Sequence, residues 1–271
     1  MINQRFVPEG WIEELEPISR QRLNIAKETG ETLQGFVTKC DTNYNLHVDL
    51  GNDMIGIIPR KEVEAINVDE FGIPKSSLSV NKVNKLVQFK VKEFEDIEME
   101  NSRIILSRKD VGVEVINWVK SDLKLGDKLS GVVKNITKYG AFVEIGGGIV
   151  GLLHIEDISV VRIRTPEERF KVGQKVDVVV KSIDKQNSRL ILSYKELLGS
   201  WEENIENFEE KTTVVGIVRE IEKSKSGIFV ELKPNLAGLA EYKEGIEYGE
   251  KVSVYIKKII PEKKKVKLII V

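Results

Sequence analysis

The chain of 271 residues is predicted to be an all-β protein made of three tandem five-stranded barrels. Two observations predict this class. The chain repeats itself three times, and within each repeat short stretches alternate apolar and polar residues, as strands with one buried face do. Hydrophobic residues make up 41% and charged residues 31% of the chain, which is typical of a folded globular protein rather than a disordered one.

The repeat is clearest in the middle of the chain, where LSGVVKNITKYGAFVEIGGGIVGLLHIEDI is followed by KVGQKVDVVVKSIDKQNSRLILSYKEL. Each repeat reads as a strand containing glycine, an alternating strand that ends at a turn, a short third strand, a variable loop and two long strands. β-Branched residues at alternate positions, such as Val176, Val178 and Val180, support the strand assignment. The halves of the three repeats occupy residues 33–63 and 84–110, 129–158 and 171–197, and 213–245 and 249–271.

Five short strands per repeat suit a small closed barrel, and the five-stranded OB-fold is the matching architecture. Closure removes the exposed strand edges that would otherwise aggregate. Gly131 and its counterparts Gly35 and Gly216 are expected where the first strand of each barrel bends sharply. The expected domains are an N-terminal helical segment (1–29), a first barrel (30–110), a connector (111–124), a second barrel (125–195), a connector (196–210) and a third, degenerate barrel (211–271).

The connectors are predicted to be helical because apolar residues recur at spacings of three and four in VEVINWVKSDL and KELLGSWEENIENF. Each connector carries a tryptophan, Trp118 or Trp201, and Trp11 has a similar place in the N-terminal segment. A tryptophan there could stack on a nucleic-acid base, or it could anchor the connector onto the neighbouring barrel. The anchor is the simpler interpretation.

Composition excludes several function classes. Cys40 is the only cysteine, which excludes an internal disulfide and fits a reducing, cytoplasmic environment. With His47 and His154 as the only histidines, little is left for a zinc site or a cysteine protease. No apolar run is long enough to cross a bilayer, and the N-terminus lacks the pattern of a secretory signal. We therefore expect no metal, no cofactor and no membrane partner.

The middle repeat resembles the S-one RNA-binding domain, an OB-fold module repeated in the largest protein of the small ribosomal subunit and appended to polynucleotide phosphorylase and several ribonucleases. The resemblance rests on GDKLSGVVKNITKYGAFVEIGGGIVGLLHIEDIS and KVGQKVDVVVKSIDKQNSRLILSYKE. The first repeat is moderately similar, and the third is only weakly similar in its second half. The whole chain resembles a short bacterial homologue of the ribosomal protein, since the catalytic domains of those nucleases would not fit in the remaining residues.

The resemblance implies an RNA-facing surface on the middle barrel. Its positions carry two aromatic rings, a histidine, a basic residue and an acidic residue, here Tyr139, Phe142, His154, Arg189 and Asp184. Lys138, next to the first ring, is expected to add a basic contact. The chemistry is that of single-stranded RNA, whose bases each gain about 1–3 kcal/mol by stacking on an aromatic ring with little sequence preference. A neighbouring cation neutralises phosphate.

Tyr139 and Phe142 are three positions apart, whereas a regular strand brings residues two apart to one face. We expect Gly140 and Ala141 to allow a turn or bulge that brings both rings to the same side. Glu144 shares the strand face of Phe142, which indicates that this face is exposed to solvent. Both rings are therefore expected to be exposed on one side of the barrel.

The three glycines at 146–148 are expected to form the tight reversal that returns the chain and brings His154 beside the rings. They are not expected to form a phosphate loop, because no GK[ST] sequence follows them. Arg189 should lie on the same exposed side.

The site becomes less complete in the first repeat. Tyr44 and His47 occupy the two ring positions and Arg103 the basic position, but Pro59 stands in place of the histidine. In the third repeat Phe229 and Lys265 remain. The other two positions there carry Ser226 and Glu241.

The run of lysines at 263–265 in the third repeat could contact phosphate or could be an ordinary solvated turn, and the sequence does not favour either. The formal net charge of the chain is −1. Residues 125–195 and 210–271 each carry a net charge of +4, whereas residues 30–108 carry −3. The middle repeat is thus the best-equipped RNA binder, and the acidic first barrel could dock onto a ribosomal or other protein partner.

The leading hypothesis is a monomeric, non-enzymatic protein that binds single-stranded, mRNA-like RNA and is associated with the ribosome. The alternative is a protein-interaction scaffold, or an adaptor in RNA decay or regulation, with weak RNA binding. An enzyme is the least favoured class, because no acidic pair has a known catalytic spacing and neither histidine has a nucleophile beside it. No catalytic residue is assigned.

Overall fold

A computed structural model describes residues 5–12, 14–95, 103–186, 189–221 and 227–271 of the chain. Within these ranges the strands form three closed barrels of five strands each. The predicted all-β class with three tandem barrels is therefore confirmed. None of the helices in these ranges is both long and apolar enough to cross a bilayer.

The first barrel is preceded by helix α1, Arg20–Thr29, which Ser19 caps by accepting a hydrogen bond from the Arg22 N–H. Trp11 lies outside this helix, and residues 14–19, just before it, have no regular structure. Pro17 in this stretch disfavours helix in the residue before it. The barrel strands are β1 (Leu33–Cys40), β2 (Leu46–Asp49), β3 (Ile55–Ile58), β4 (Leu86–Glu95) and β5 (Arg103–Ser107), with the short helix α2 (Ser76–Val80) between β3 and β4.

The second barrel follows helix α3, Lys109–Ser121, which buries Val115, Trp118 and Val119. Trp118 is only 7% exposed and meets the ring of Phe6 edge-on at 5.7 Å, so this tryptophan is an anchor. The barrel strands are β6 (Lys128–Thr137), β7 (Gly140–Glu144), β8 (Val150–His154), β9 (Lys175–Asp184) and β10 (Arg189–Ser193).

The third barrel follows the short helix α4, Trp201–Ile205, which begins with a capping box made by Ser200 and Glu203. Trp201 and Ile205 pack against the core of this barrel. The barrel strands are β11 (Thr213–Ile221), β12 (Ile228–Lys233), β13 (Leu236–Ala240), β14 (Lys251–Ile260) and β15 (Lys265–Ile270).

The three barrels close in the same way. The first strand pairs antiparallel with the second and the fourth, and the third strand runs parallel to the fifth. Gly131 lies on β6, and a Cβ atom there would come within 2.3 Å of Val143 Cγ1 on the neighbouring β7. Three residues further on, β6 has a bulge at Lys134, and β11 has the equivalent bulge at Arg219.

A buried polar network joins the first two barrels. Arg108, at the end of β5, is 1% exposed and binds both carboxylate oxygens of Glu9, at 2.7 and 3.0 Å. Arg108 also donates to the Val63 carbonyl at 2.9 Å. The Glu9 N–H in turn donates to Glu144 Oε2 on β7 at 2.7 Å. The N-terminal segment is thus bonded to both barrels by groups that cannot reach water.

The glycine turn at 146–148 lies inside this junction. The Gly146 and Gly148 N–H groups donate to Glu144 Oε1 at 2.8 and 3.0 Å. All three glycines have positive φ, and a Cβ on Gly148 would lie 1.7 Å from Arg108 Nη2. The turn therefore returns the chain, as predicted, and also requires glycine because the first barrel approaches so closely.

An equivalent ion-pair cluster joins the second and third barrels. Glu231 on β12 has the place of Glu144 and is 5% exposed. Arg169, from the loop before β9, donates from Nη2 to both Glu231 oxygens at 2.7 Å. The bulge residue Arg219 bonds to Glu231 and to Glu168. Both junctions thus bury charge on the second strand of the following barrel.

Candidate nucleic-acid interface

The exposed face of the middle barrel is set by strand alternation. Along β7, Ala141 and Val143 are buried in the core, whereas Phe142 between them is half-buried on the outside. The register places one outward residue of each neighbouring strand in a row with Phe142, namely Asn135 on β6, Leu152 on β8 and Ile191 on β10. We call this row, together with the turn between β6 and β7, the platform. Its centre is apolar and partly open to solvent.

Tyr139 lies beside Phe142 but not in the strand. It occupies the two-residue turn between β6 and β7, in which Thr137 pairs with Gly140. The two ring centroids are 6.1 Å apart with planes at 84°, and Tyr139 is 51% exposed. The expectation that Gly140 and Ala141 break the strand is wrong, since both pair regularly with β8. The rings share a side because Tyr139 lies outside the strand period.

His154 ends β8 directly across from Gly140, so it lies next to the Tyr139 turn. The Ile155 N–H donates to the Tyr139 carbonyl at 2.9 Å and ties the two segments together. The imidazole is 38% exposed, and its Nδ1 accepts from the Glu156 N–H at 3.4 Å. In the neutral ring this leaves Nε2 as the nitrogen that donates a hydrogen bond.

Arg189 is exposed but lies at the other end of the platform. It precedes the Leu190–Gly151 pair of β10 and β8, whereas His154 follows the Leu192–Leu153 pair. The structure therefore brings Tyr139, Phe142 and His154 together, and it places Arg189 beyond Ile191 rather than beside the histidine. Asp184 pairs with Arg189 across β9 and β10, and the exposed Lys138 shares the turn of Tyr139. The platform thus has a cation at each end.

The strand face that carries Glu144 is not exposed to solvent at this residue, contrary to the prediction. The Glu144 side chain is 1% exposed, because the N-terminal segment covers this end of β7. Burial and the charge of Glu9 raise the pKa of Glu144 to about 7, although Lys134 and the Gly148 N–H oppose that shift. Phe142 is only half-buried because, within the described residues, no segment covers the middle of the strand in the same way. The prediction that Glu144 lies on a solvent-exposed face is therefore wrong, although the Phe142 ring on the same face is not buried.

Comparison with known proteins identifies the family. A family model described as the S1 RNA binding domain matches residues 26–109 and 122–195, which contain the first and second barrels. The chain belongs to the S1 RNA binding domain family. These two barrels are its S1 domains.

Curated relatives are similar over most of the chain. The small ribosomal subunit protein bS1 of Staphylococcus aureus (strain COL) is 32% identical over 277 residues, which cover 93% of this chain and 66% of the relative. The same-named protein of Staphylococcus haemolyticus is 33% identical over 267 residues, covering 92% and 64%. The chain thus spans just under two thirds of the length of these relatives. The solution structure of GSP13 from Bacillus subtilis matches 29% of this chain and 61% of its own, at 26% identity and a TM-score of 0.28, too low to bear on the fold.

The first S1 domain has a different set of groups on its platform. His47 has the place of Phe142 and pairs with Lys39 on β1, and Tyr44 has the place of Tyr139. The guanidinium of Arg60 lies over the Tyr44 ring, 5.0 Å from its centroid, and so covers one face of it. Asp41 Oδ2 is 3.6 Å from His47 Nε2.

The Asp41 carboxylate makes this surface less suited to RNA. Burial raises the pKa of Asp41, but hydrogen bonds from Asn45 and Asn43 outweigh it and leave the pKa below its usual value. The group is therefore anionic beside His47 at neutral pH. Arg103, the predicted basic residue, begins β5 at the exposed position that Arg189 has in β10.

In the third barrel Phe229 has the place of Phe142, and it pairs with Glu220 on β11 and Leu239 on β13. Lys265 begins β15, at the structural position of Arg189. Ser226 lies outside the described residues, and Glu241 is exposed.

Sequence reasoning missed one position that distinguishes the three barrels. The residue paired with the ring position across the first two strands is Lys39 in the first barrel, Asn135 in the second and Glu220 in the third. The bulge at Thr38, Lys134 or Arg219 shifts the register by one, so simple alternation from the glycine does not identify the partner. A carboxylate beside Phe229 opposes the approach of phosphate, whereas an amide or ammonium does not.

Proposed function

We propose that the chain binds single-stranded, mRNA-like RNA through the platform of the middle S1 domain. The observation that carries this proposal is the pair of partly exposed rings, Tyr139 and Phe142, held edge to face with His154 alongside. Two rings at this angle offer faces to successive unstacked bases, and His154 Nε2 can donate to a sugar or phosphate oxygen. Lys138 and Arg189 at the two ends supply the cations for the RNA backbone.

The binding is non-enzymatic and has no preference for a particular base. Stacking uses the π-face that every base has, and Leu152 and Ile191 offer apolar contact without hydrogen-bond readout. The role assigned to the RNA surface is to hold unstructured RNA, and no bond is broken. Incubation with labelled RNA, with and without magnesium, is expected to leave the RNA intact.

We assign a ribosome-associated role in translation, on the basis of the relatives named small ribosomal subunit protein bS1. The acidic first S1 domain is the surface proposed to dock onto a ribosomal or other protein partner, and the protein acts as a monomer. Sedimentation of cell extracts tests this role. The protein should move with the small subunit at low salt, and recovery only in the light fractions would contradict the assignment.

The RNA-binding test compares one double change with one single change in the 271-residue chain. Tyr139→Ala with Phe142→Ala should weaken binding of oligouridylate roughly tenfold or more for each ring lost. Phe71→Ala is the matched control, because Phe71 is an aromatic residue that is 78% exposed on a loop of the first barrel and is not part of the middle platform. Unchanged affinity in the double variant would rule out the platform. No binding by the unaltered protein would favour a protein-interaction scaffold instead.

A further inference from the structure

A cavity of about 480 Å³ lies where the second and third barrels meet. Three parts of the chain line it: Phe229 and Ala237 on the sheet of the third barrel, Trp201 on α4, and residues 160–162 from the loop after β8. Lys264, in the turn between β14 and β15, lies at its edge. The volume is within the range of small-ligand pockets in proteins.

The walls of this cavity are held in place by hydrogen bonds between the barrels. The Val160 N–H donates to Asn235 Oδ1 at 3.0 Å, and the Val161 N–H donates to the Pro234 carbonyl at 3.1 Å. Asn235 in turn donates to the carbonyls of Lys195 and Gly199 at 2.8 and 2.9 Å. A ligand therefore meets a preformed site and does not have to order these segments.

The lining combines flat apolar groups with exposed cations. Phe229 and Trp201 are both half-buried, so each keeps part of its ring open. The Arg162 side chain is 85% exposed and 4.0 Å from Glu220, and the Lys264 side chain is 62% exposed and 2.9 Å from Glu202. Ion pairs this exposed contribute little, so phosphate can replace Glu202 on Lys264 at small cost. Glu220 also lines the cavity and disfavours a phosphate on Arg162.

We propose that this cavity binds one nucleobase of single-stranded RNA between Phe229 and Trp201, with the adjoining phosphate on Lys264. This inference rests on the proposed function, and it extends RNA binding to the third barrel. In the middle barrel the second ring, Tyr139, comes from the turn between β6 and β7. In the third barrel Trp201, from the connector, supplies that second ring. A nucleotide is favoured over an apolar protein side chain because the exposed Lys264 lies beside two π-faces.

Direct binding is tested on the unaltered protein by NMR of the indole N–H groups, with 5′-AMP, 5′-UMP and oligouridylate as probes. The Trp201 signal, assigned by its loss in Trp201→Phe, should move with each probe. The Trp118 signal should not, because Trp118 is buried at the other junction. Inorganic phosphate should move the Trp201 signal much less, since it cannot stack.

Two variants locate the site. Phe229→Ala should lower the nucleotide affinity, measured from the Trp201 shift, about tenfold. Val160→Glu places a carboxylate at the rim on a residue that is 67% exposed, so it tests the cavity without disturbing the core, and it should give a comparable loss. Lys251→Ala is the control, a lysine exposed on the third barrel that does not line the cavity.

The outcomes separate this inference from the proposed function. If oligouridylate binds and depends on Tyr139 and Phe142 but no probe moves the Trp201 signal, the cavity inference is overturned and the platform stands. The inference is likewise overturned if Val160→Glu leaves the shift unchanged. If Trp201 responds to nucleotides in the Tyr139→Ala, Phe142→Ala variant, the cavity is a second, independent site.

Discussion

The backbone N–H of Glu9 donates to the carboxylate of Glu144 at 2.7 Å, and this bond joins two acidic residues 135 positions apart in the chain. Both side chains are buried, and of the two only Glu9 is in direct contact with Arg108, which also pairs with Glu64 at 2.9 Å. Burial raises the pKa of Glu9, yet the charge of Arg108 outweighs it and holds the pKa at about 2. Glu144 has the ammonium of Lys134 at 3.9 Å, which offsets only part of the cost of its burial.

The stability of this junction should therefore depend on pH through Glu144. Its pKa rises from 4.5 to about 7 on folding, so the folded state binds more protons between these values. The contribution of Glu144 to the free energy of unfolding is therefore complete below pH 4.5 and is lost as the pH rises through 7. Urea titrations from pH 5 to 8, followed by tryptophan fluorescence, measure the slope.

Glu144→Gln is the matched variant for that slope. The amide cannot ionise, so the free energy of unfolding should be nearly constant over the same pH range. Its absolute stability falls, because an NH₂ group replaces one acceptor among N–H groups that all donate to Glu144. A slope equal to that of the unaltered protein would mean that Glu144 is not the titrating group.

Gly148→Ala should lower the free energy of unfolding by much more than the usual cost of a non-glycine residue at positive φ. The Cβ would meet Arg108 Nη2 at 1.7 Å and push the guanidinium from Glu9, and breaking a buried pair costs about 3–5 kcal/mol. Gly173→Ala is the control, since Gly173 has φ 87° with no atom within 4 Å of the added Cβ. That change should cost about 1–2 kcal/mol. Equal losses in thermal or urea unfolding would contradict the contact with Arg108.

Asn135, which pairs with Phe142 across β6 and β7, should influence the affinity for RNA. Asn135→Glu gives the middle platform the carboxylate that Glu220 gives the third barrel, and it should weaken oligouridylate binding roughly three- to tenfold at low salt. Asn135→Lys should strengthen binding. Equal affinity of the two variants in fluorescence anisotropy would show that RNA does not pass along this row.

Arg189 should act through phosphate and not through a base. Arg189→Ala is expected to lower the slope of log affinity against log salt by about 1 and to weaken binding to all sequences alike. Arg189→Lys keeps the charge at this exposed site and should keep the slope. A slope that is the same in Arg189→Ala as in the unaltered chain would remove Arg189 from the interface.

The strands were predictable because alternation and repetition are local properties of the sequence. Val176, Val178 and Val180 stand at every second position of β9, and the structure buries all three on the inside of the barrel. Glu144 was misjudged for the opposite reason. Alternation tells which strand face a residue occupies, but the group that covers that face, the Glu9 segment, comes from a distant part of the chain.

The cavity between the second and third barrels was beyond reach of the sequence for the same physical reason. Trp201 was considered both as an anchor and as a stacking ring, and it packs on the core of the third barrel while lining a cavity. Arg162 lies in a loop whose position is set by hydrogen bonds to Pro234 and Asn235. No spacing in the sequence records a contact between segments so far apart.

The buried glycine turn also decides where the chain can be lengthened. Hairpin tips are usually the safest places to insert a peptide, because they point into water. The tip at 146–148 instead touches Phe6, Val115 and Arg108, so it belongs to the packed interior. An epitope tag inserted there would separate the first two barrels, whereas one beside Gly173, whose surroundings are open, would leave them joined.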